Sequence, residues 1–232
     1  MSENKQKSIN KKLSFQTKLF FRKYPSYPYL LKWTFICTFI GILIGTTSAG
    51  FLQSLNWATN FRENNLWLIT LLPIAGFLIG LLYHYYGKDI EAGNNLLIDT
   101  IHQPKHIIPF RMAPFIYIGT IATHFFGGSA GREGTALQMA GSIADQFSKP
   151  FRLSVAERKI LIIAAVAGGF GSVFGTPIAG AVFAMEVLTV GRIKYDALVP
   201  CLIASILADI TCAAYGIHHT QYSIAFAGSK GN

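Results

Sequence analysis

Charged residues are scarce in this chain. They make up 13% of its 232 residues, against roughly 25% in a typical soluble domain, which argues against a soluble protein of this length. Hydrophobic residues make up 51% and the mean hydropathy is +0.39, so the composition favours a membrane protein. Cysteine is also scarce. Cys37, Cys201 and Cys212 fall in apolar segments without metal-ligand spacing, so we predict small buried thiols and no metal site.

The patterns of an enzyme are missing as well. The sequence shows no nucleophile–base pair, no phosphate-binding loop and no metal cluster, so we expect neither an enzyme nor a bound cofactor. A secretory signal peptide is also disfavoured, because no small-residue cleavage site follows a short apolar core near the N-terminus.

The chain carries a net charge of +9. Its basic residues are concentrated at the N-terminus, with aromatic residues between them. A cluster in that position suits a membrane surface rather than nucleic acid, and the positive-inside rule places it in the cytoplasm. We therefore predict a basic cytoplasmic tail over residues 1–32 and a membrane part over residues 33–217. Residues 218–232 form a polar tail that is a candidate truncation point.

Three apolar segments, residues 33–57, 66–86 and 195–215, reach the roughly 20 residues that cross a bilayer. The composition of residues 60–65 predicts a polar turn between the first two of these segments. Gly41 and Gly45 are spaced for close helix approach, and Gly76 and Gly80 form a second such pair.

The middle of the chain consists of shorter apolar pieces. Residues 87–103 are too polar to span, which leaves a surface loop or a re-entrant segment open. Ser154 and Glu157 form a capping box at the start of a helix, and Pro177 suits the first turn of another. The sequence thus predicts an all-α polytopic membrane protein with short, broken helices. Their ranges are 107–126, 135–144, 153–166 with an interruption at 167–171, and 174–190.

Two of these breaks are bounded by glycine, at residues 93–97 and 131–135. The second places Glu133 in an apolar neighbourhood, and an ionisable group at membrane depth is a functional-site hypothesis. Helix N-termini carry free N–H groups that suit an anion, and non-helical backbone at that depth survives where it lines a cavity. Ordinary glycine turns are the alternative. The candidate anion-binding residues are Gly93, Asn94, Asn95, Leu96, Gly131, Arg132, Gly134 and Thr135.

At these residues the chain resembles the CLC family of chloride channels and anion/proton antiporters. Residues 131–135 (Gly-Arg-Glu-Gly-Thr) are similar to the family's Gly-(Lys/Arg)-Glu-Gly-Pro signature. Residues 174–180 (Phe-Gly-Thr-Pro-Ile-Ala-Gly) resemble its Phe-Asn-(Ala/Thr)-Pro-(Leu/Ile)-Ala-Gly stretch, which also leads to a glutamate, here Glu186. The resemblance implies a CLC-type fold, a homodimer, and coverage of the first of two inverted halves.

The resemblance also implies roles for individual residues. Glu133 corresponds to the gating and proton-carrying glutamate, which competes with the anion and swings out when it is protonated. Glu186 is a candidate for the proton path or for a structural hydrogen bond, and Val187 stands where many proton-coupled members carry a second glutamate. Arg132 is expected to stabilise the charge of Glu133 or to reach water. Gln138 is expected to hydrogen-bond Glu133 or to pack.

Departures from the family pattern guide the choice of ion. Asn94 and Asn95 replace a serine motif and Thr135 replaces a proline, and both changes resemble the fluoride/proton antiporter branch. The leading hypothesis is a multi-pass cell-membrane transporter that exchanges a halide, fluoride rather than chloride, for protons. A passive chloride channel without proton coupling is one alternative. Because the second-half motifs are not found, an inactive fragment or a subunit that needs a separate C-terminal half is another.

Overall fold

The computed structural model describes residues 27–104, 106–187 and 195–217, and every regular element in these ranges is a helix. The all-α prediction is therefore confirmed. Most of the basic tail and the polar residues 218–232 lie outside the described residues. The α-helices are α1 (Tyr27–Glu63), α2 (Leu72–Tyr86), α3 (Asn94–His102), α4 (Met112–Phe125), α5 (Arg132–Asp145), α6 (Val155–Phe174), α7 (Pro177–Val187) and α8 (Leu198–Ala214), with 3-10 helices at Leu66–Leu71 and Tyr195–Ala197.

Three helical segments are long and apolar enough to cross a membrane, namely Tyr29–Asn64, Leu66–Tyr86 and Tyr195–Ala214. Each overlaps one of the three predicted spans. The second segment is only 11% buried within the chain, and large apolar side chains such as Phe77 are exposed on it. An apolar surface of this kind suits contact with hydrocarbon rather than with water.

Helix α1 is longer than predicted at both ends. It begins at Tyr27 and continues to Glu63, through most of the segment expected to be a polar turn. The side-chain amides of Asn64 and Asn65 account for the extension at the carboxyl end of α1. They donate to the backbone carbonyls of Asn60 and Phe61, respectively, both at 2.9 Å. These bonds satisfy carbonyls that a helix end leaves without partners.

Helix α6 lies at the centre of the bundle and packs against α1, α5, α7 and α8. It starts with the predicted capping box, in which the N–H of Ser154 donates to Glu157 Oε2 at 2.8 Å. The predicted interruption at residues 167–171 is wrong, because α6 continues to Phe174. Its glycines serve packing instead. A Cβ on Gly169 would lie 2.7 Å from the carbonyl oxygen of Ala136 in α5, so only glycine permits this approach.

Helices α1 and α8 also approach each other closely. A Cβ on Gly45 would lie 2.7 Å from Thr211 Cβ, and one on Gly41 would lie 3.0 Å from Leu207 Cβ, which confirms the predicted role of this glycine pair. Gly76 and Gly80 behave differently, since no atom of another described helix lies within 4 Å of the Cβ positions of either residue. The same spacing thus marks a helix contact in α1 but not in α2.

The short helices also differ in detail from the prediction. Residues 87–103 contain α3, a helix of 9 residues, so this segment is not simply a loop. Helix α4 begins at Met112 rather than at residue 107, and the backbone N–H of Ile108 in the preceding segment donates to Asp145 of α5. Helix α5 begins earlier than predicted, at Arg132. Helix α7 begins at Pro177 as predicted, and residues 188–190 of the predicted helix lie outside the described residues.

Candidate anion site

The amino ends of α3 and α5 lie side by side. A Cβ on Gly93, which precedes α3, would lie 3.4 Å from Gln138 Nε2 of α5. A Cβ on Gly134 in α5 would lie 3.3 Å from Asn94 Nδ2 of α3. Further along the two helices, Leu97 of α3 packs against Gly141 of α5. The structure therefore brings together the two glycine-bounded segments that the sequence predicted as parts of one site.

Glycine is required at the start of α3. Gly93 has φ 57° and ψ −126°, a conformation that side chains strongly disfavour. The N–H groups of Asn95 and Leu96 donate to Ala92 and Gly93, at 3.0 and 3.1 Å, so the first turn is tight and these two donors are occupied. The N–H of Asn94 has no hydrogen-bond acceptor among the described residues. Asn94 is thus the residue of α3 that offers free donors to the site.

The first turn of α5 carries unoccupied donors. Gly131 caps the helix in an extended conformation without a side-chain bond. Within the described residues, the N–H groups of Arg132, Glu133 and Gly134 have no acceptor. Such groups, together with the helix dipole, give a helix start a partial positive charge. This end of α5 is therefore suited to a negative charge.

The turn that leads into α5 is held by bonds to the end of α4. The N–H of Gly128 donates to the carbonyl of Thr123 at 2.8 Å. His124 Nε2 lies 2.9 Å from the carbonyl oxygen of Ala130, and because a carbonyl only accepts, the imidazole nitrogen is the donor. These contacts fix the direction in which α5 starts.

Thr135 has a buried side chain, with 1% of the residue exposed. Its hydroxyl donates to the carbonyl of Gly131 at 3.1 Å and lies 2.7 Å from the hydroxyl of Thr120 in α4. The side chain therefore positions the start of α5 from inside the protein and does not face the exposed part of the site. Unlike proline, threonine also keeps a backbone N–H.

Glu133 lies over the amino end of its own helix. Its Oε2 is 3.0 Å from the position that a Cβ on Gly131 would occupy, so the carboxylate folds back on the first turn. The side chain is exposed, as is Arg132 beside it, and no ion pair joins either residue to another described residue. Glu133 therefore places a negative charge where α5 presents free N–H groups.

Gln138 does not bind Glu133. Its Nε2 donates to Asn94 Oδ1 of α3, at 3.1 Å. Sequence spacing places Gln138 about one turn after Glu133 on the same helix. The sequence contains no signal that identifies the partner of Gln138 on a different helix.

Glu186 lies apart from this group of residues. It is exposed near the end of α7, and so is Val187. Helix α7 packs chiefly against α6 and α8, with Phe183 stacked on Phe170 at a centroid distance of 4.3 Å. The contacts at the paired helix ends involve α3 and α5, and Glu186 does not take part in them.

Sequence reasoning missed a buried ion pair at the opposite end of α5. Asp145 is fully buried and binds Arg158 of α6 through two bonds of 2.6 and 2.7 Å. Asp145 also accepts from the N–H of Ile108 at 2.8 Å and from the hydroxyl of Ser148 at 2.7 Å. Arg158 reaches the carbonyl of His106 at 2.6 Å. The pair fixes the carboxyl end of α5 to α6 and to the segment before α4.

The described residues contain no group of three or more His, Cys, Asp or Glu residues arranged to hold a metal ion. The three cysteines are buried, as predicted, and are free thiols.

The chain is similar to known anion-transport proteins. Residues 75–230 match the family model described as voltage gated chloride channel. A chloride/fluoride channel protein from Pseudomonas syringae pv. tomato is 52% identical over 197 residues, which cover 85% of this chain and 44% of that protein. An H(+)/Cl(-) exchange transporter ClcA from Salmonella schwarzengrund is 28% identical over 166 residues, which cover 66% of this chain and 35% of that protein.

Solved structures show the same fold. A crystal structure of a CLC-type fluoride/proton antiporter matches with a TM-score of 0.81 and 35% identity, over 88% of this chain and 52% of that chain. A slow cyanobacterial Cl-/H+ antiporter matches at a TM-score of 0.66 and 21% identity, over 81% and 47%. The chain thus spans about half the length of these proteins and part of the CLC fold. Because the family model covers most of the chain, this protein belongs to the voltage gated chloride channel, or CLC, family.

Proposed function

We propose that this protein is a secondary active transporter that exchanges a halide, with fluoride favoured over chloride, for protons across the cell membrane. The observation that carries the proposal is the position of Glu133. Its carboxylate lies against the start of α5, where three backbone N–H groups are without acceptors in the described part of the chain. Asn94 of α3 lies beside Gly134 in the same turn of α5.

In this mechanism the carboxylate and the halide compete for the same donors. A charged Glu133 is attracted to the free N–H groups and to the helix dipole. Protonation removes that attraction, so the side chain leaves and the anion enters. One group then both gates the anion and carries the proton, which couples the two movements in opposite directions.

Fluoride is favoured because it is small and strongly hydrated, so its site must supply good hydrogen-bond donors in place of water. The amide of Asn94 provides such a donor beside the backbone N–H groups of α5. The names of two similar proteins, a chloride/fluoride channel protein and a CLC-type fluoride/proton antiporter, support the same choice.

We further propose where the protein resides and how it assembles. The N-terminal tail is cytoplasmic, and the protein works in the bilayer as a homodimer, without a cofactor, nucleic acid or enzymatic activity. Exposed apolar side chains on α7 and α8, such as Ile178, Val182 and Ile210, suit contact with lipid or with a second copy.

Ion flux from liposomes that contain the complete protein tests the proposal. We expect fluoride efflux, followed with a fluoride-selective electrode, to exceed chloride efflux and to drive protons in the opposite direction. Chloride flux greater than fluoride flux would contradict the choice of ion.

A passive anion channel is a second candidate, favoured by Val187 at the place where an inner proton-carrying glutamate is expected. For a passive channel, the reversal potential of the anion current is independent of a pH gradient. A shift with pH excludes the channel and supports exchange.

A subunit or inactive fragment is a third candidate, because the chain spans about half the length of its relatives. Residues 1–232 reconstituted alone are expected to show no anion flux in that case. Anion flux from residues 1–232 alone excludes this candidate.

A further inference from the structure

The bond between Gln138 and Asn94 joins the two helices of the site. It is a direct side-chain contact of 3.1 Å between α5 and α3. Gly93 and Gly134 flank it, since a Cβ on either would lie within 3.4 Å of one of the two amide nitrogens. The pair therefore occupies space that larger residues at these positions would fill.

The bond determines which end of the Asn94 amide remains available. An amide has an acceptor oxygen and a nitrogen with two donor hydrogens. Because Gln138 donates to Asn94 Oδ1, the oxygen is engaged and Nδ2 is left free. Nδ2 lies beside Gly134, 3.3 Å from where its Cβ would be, at the first turn of α5. The free donor is thus next to the N–H groups that face Glu133.

We propose that Gln138 is a positioning residue for anion selectivity, which holds the Asn94 oxygen so that Nδ2 points to the anion at the paired helix ends. This inference rests on the proposed function. Gln138 acts through Asn94 and does not itself bind the ion.

Selectivity follows from the fixed orientation. Hydrogen bonds to an ion are shorter and stronger than neutral ones, and donors that are oriented in advance need no reorganisation when the ion arrives. A small, strongly hydrated anion depends most on such donors. If Asn94 rotates freely, its oxygen faces the site part of the time and repels the anion, which weakens fluoride binding more than chloride binding.

Two substitutions separate orientation from packing. Gln138→Met removes the donor and keeps the approximate length, so the fluoride-to-chloride flux ratio is expected to fall about tenfold, in line with the loss of one hydrogen bond to a charged group. Gln138→Glu keeps the shape but makes the side chain an acceptor, so Asn94 must donate Nδ2 to it. We expect the fluoride-to-chloride flux ratio to fall further in Gln138→Glu than in Gln138→Met.

Gln146, which directly follows α5, is the matched control. It donates to the carbonyls of Ile108 and Ser142, at 2.7 and 2.8 Å, away from the site. Gln146→Met is expected to lower the thermal midpoint without changing the flux ratio.

A double-mutant cycle of Gln138 and Asn94 provides the second readout. In an Asn94→Ala background, Gln138→Met should have no further effect on the ratio.

The outcomes distinguish the inference from the proposed function. Absence of fluoride transport by the wild-type protein overturns both. Fluoride transport by the wild-type protein, with an unchanged flux ratio in Gln138→Met, overturns the role of Gln138 alone. Additive effects of Gln138→Met and Asn94→Ala on the flux ratio also overturn the role of Gln138. If Gln138→Met does not fold, Gln138→Glu gives the same decision, and an unchanged ratio there overturns the role of Gln138.

Discussion

Replacing Glu133 with glutamine is expected to abolish proton transport while anion movement continues. Glutamine has nearly the same shape, but it neither carries a proton nor provides a negative charge. It therefore cannot compete as an anion for the free N–H groups of α5. The measurement is proton uptake into liposomes driven by an outward fluoride gradient, which should fall to the level of protein-free vesicles.

Glu63 provides a matched control for this substitution. It is an exposed carboxylate at the end of α1, where it pairs with Arg62 at 3.5 Å. Glu63→Gln removes the same charge from the chain and should leave coupled proton transport unchanged. Proton uptake by Glu133→Gln at the wild-type rate would remove Glu133 from its proposed role.

Replacing Asp145 with asparagine is expected to cause a large loss of stability. The change leaves the Arg158 guanidinium, whose side chain is 11% exposed, without its counter-charge. Removing one partner of a buried ion pair costs about 3–5 kcal/mol. Thermal unfolding of the purified protein in detergent should show a clear fall in the midpoint.

The exposed pair of Asp89 and Arg111 is the control for the buried one. Their side chains are 39% and 52% exposed, and exposed pairs contribute at most about 1 kcal/mol. Asp89→Asn should therefore change the midpoint little. The double substitution Asp145→Leu with Arg158→Met should recover part of the lost stability, because no unpaired charge remains. A wild-type midpoint for Asp145→Asn would show that the buried pair does not hold α5 in place.

The spans and the start of α6 follow from local sequence patterns, and these predictions succeeded. Apolar length alone identifies Leu66–Tyr86, and the spacing of Ser154 and Glu157 identifies the capping box. The run of glycines in α6 was misread as a break, because glycine permits both a turn and a close helix contact. Only the neighbouring helix shows that Gly169 serves contact with Ala136.

The candidate site was predictable in its parts but not in its assembly. Glycine before Asn94 and before Arg132 marks two helix starts. That these starts lie together depends on the packing of α3 against α5, which involves Leu97 and Gly141 and has no local sequence signal. The same reason explains why the partners of Thr135 and Gln138 were not predicted. Both bonds join different helices.

In the proposed mechanism, Glu133 and the halide occupy the same place at the paired helix ends. Fluoride affinity measured by titration calorimetry on the wild-type protein and on Glu133→Gln tests it most directly. If the charged carboxylate occupies the site about nine-tenths of the time, its removal tightens apparent fluoride binding about tenfold. Tighter binding by Glu133→Gln is the predicted result. Equal affinity in the two proteins would contradict competition at this site.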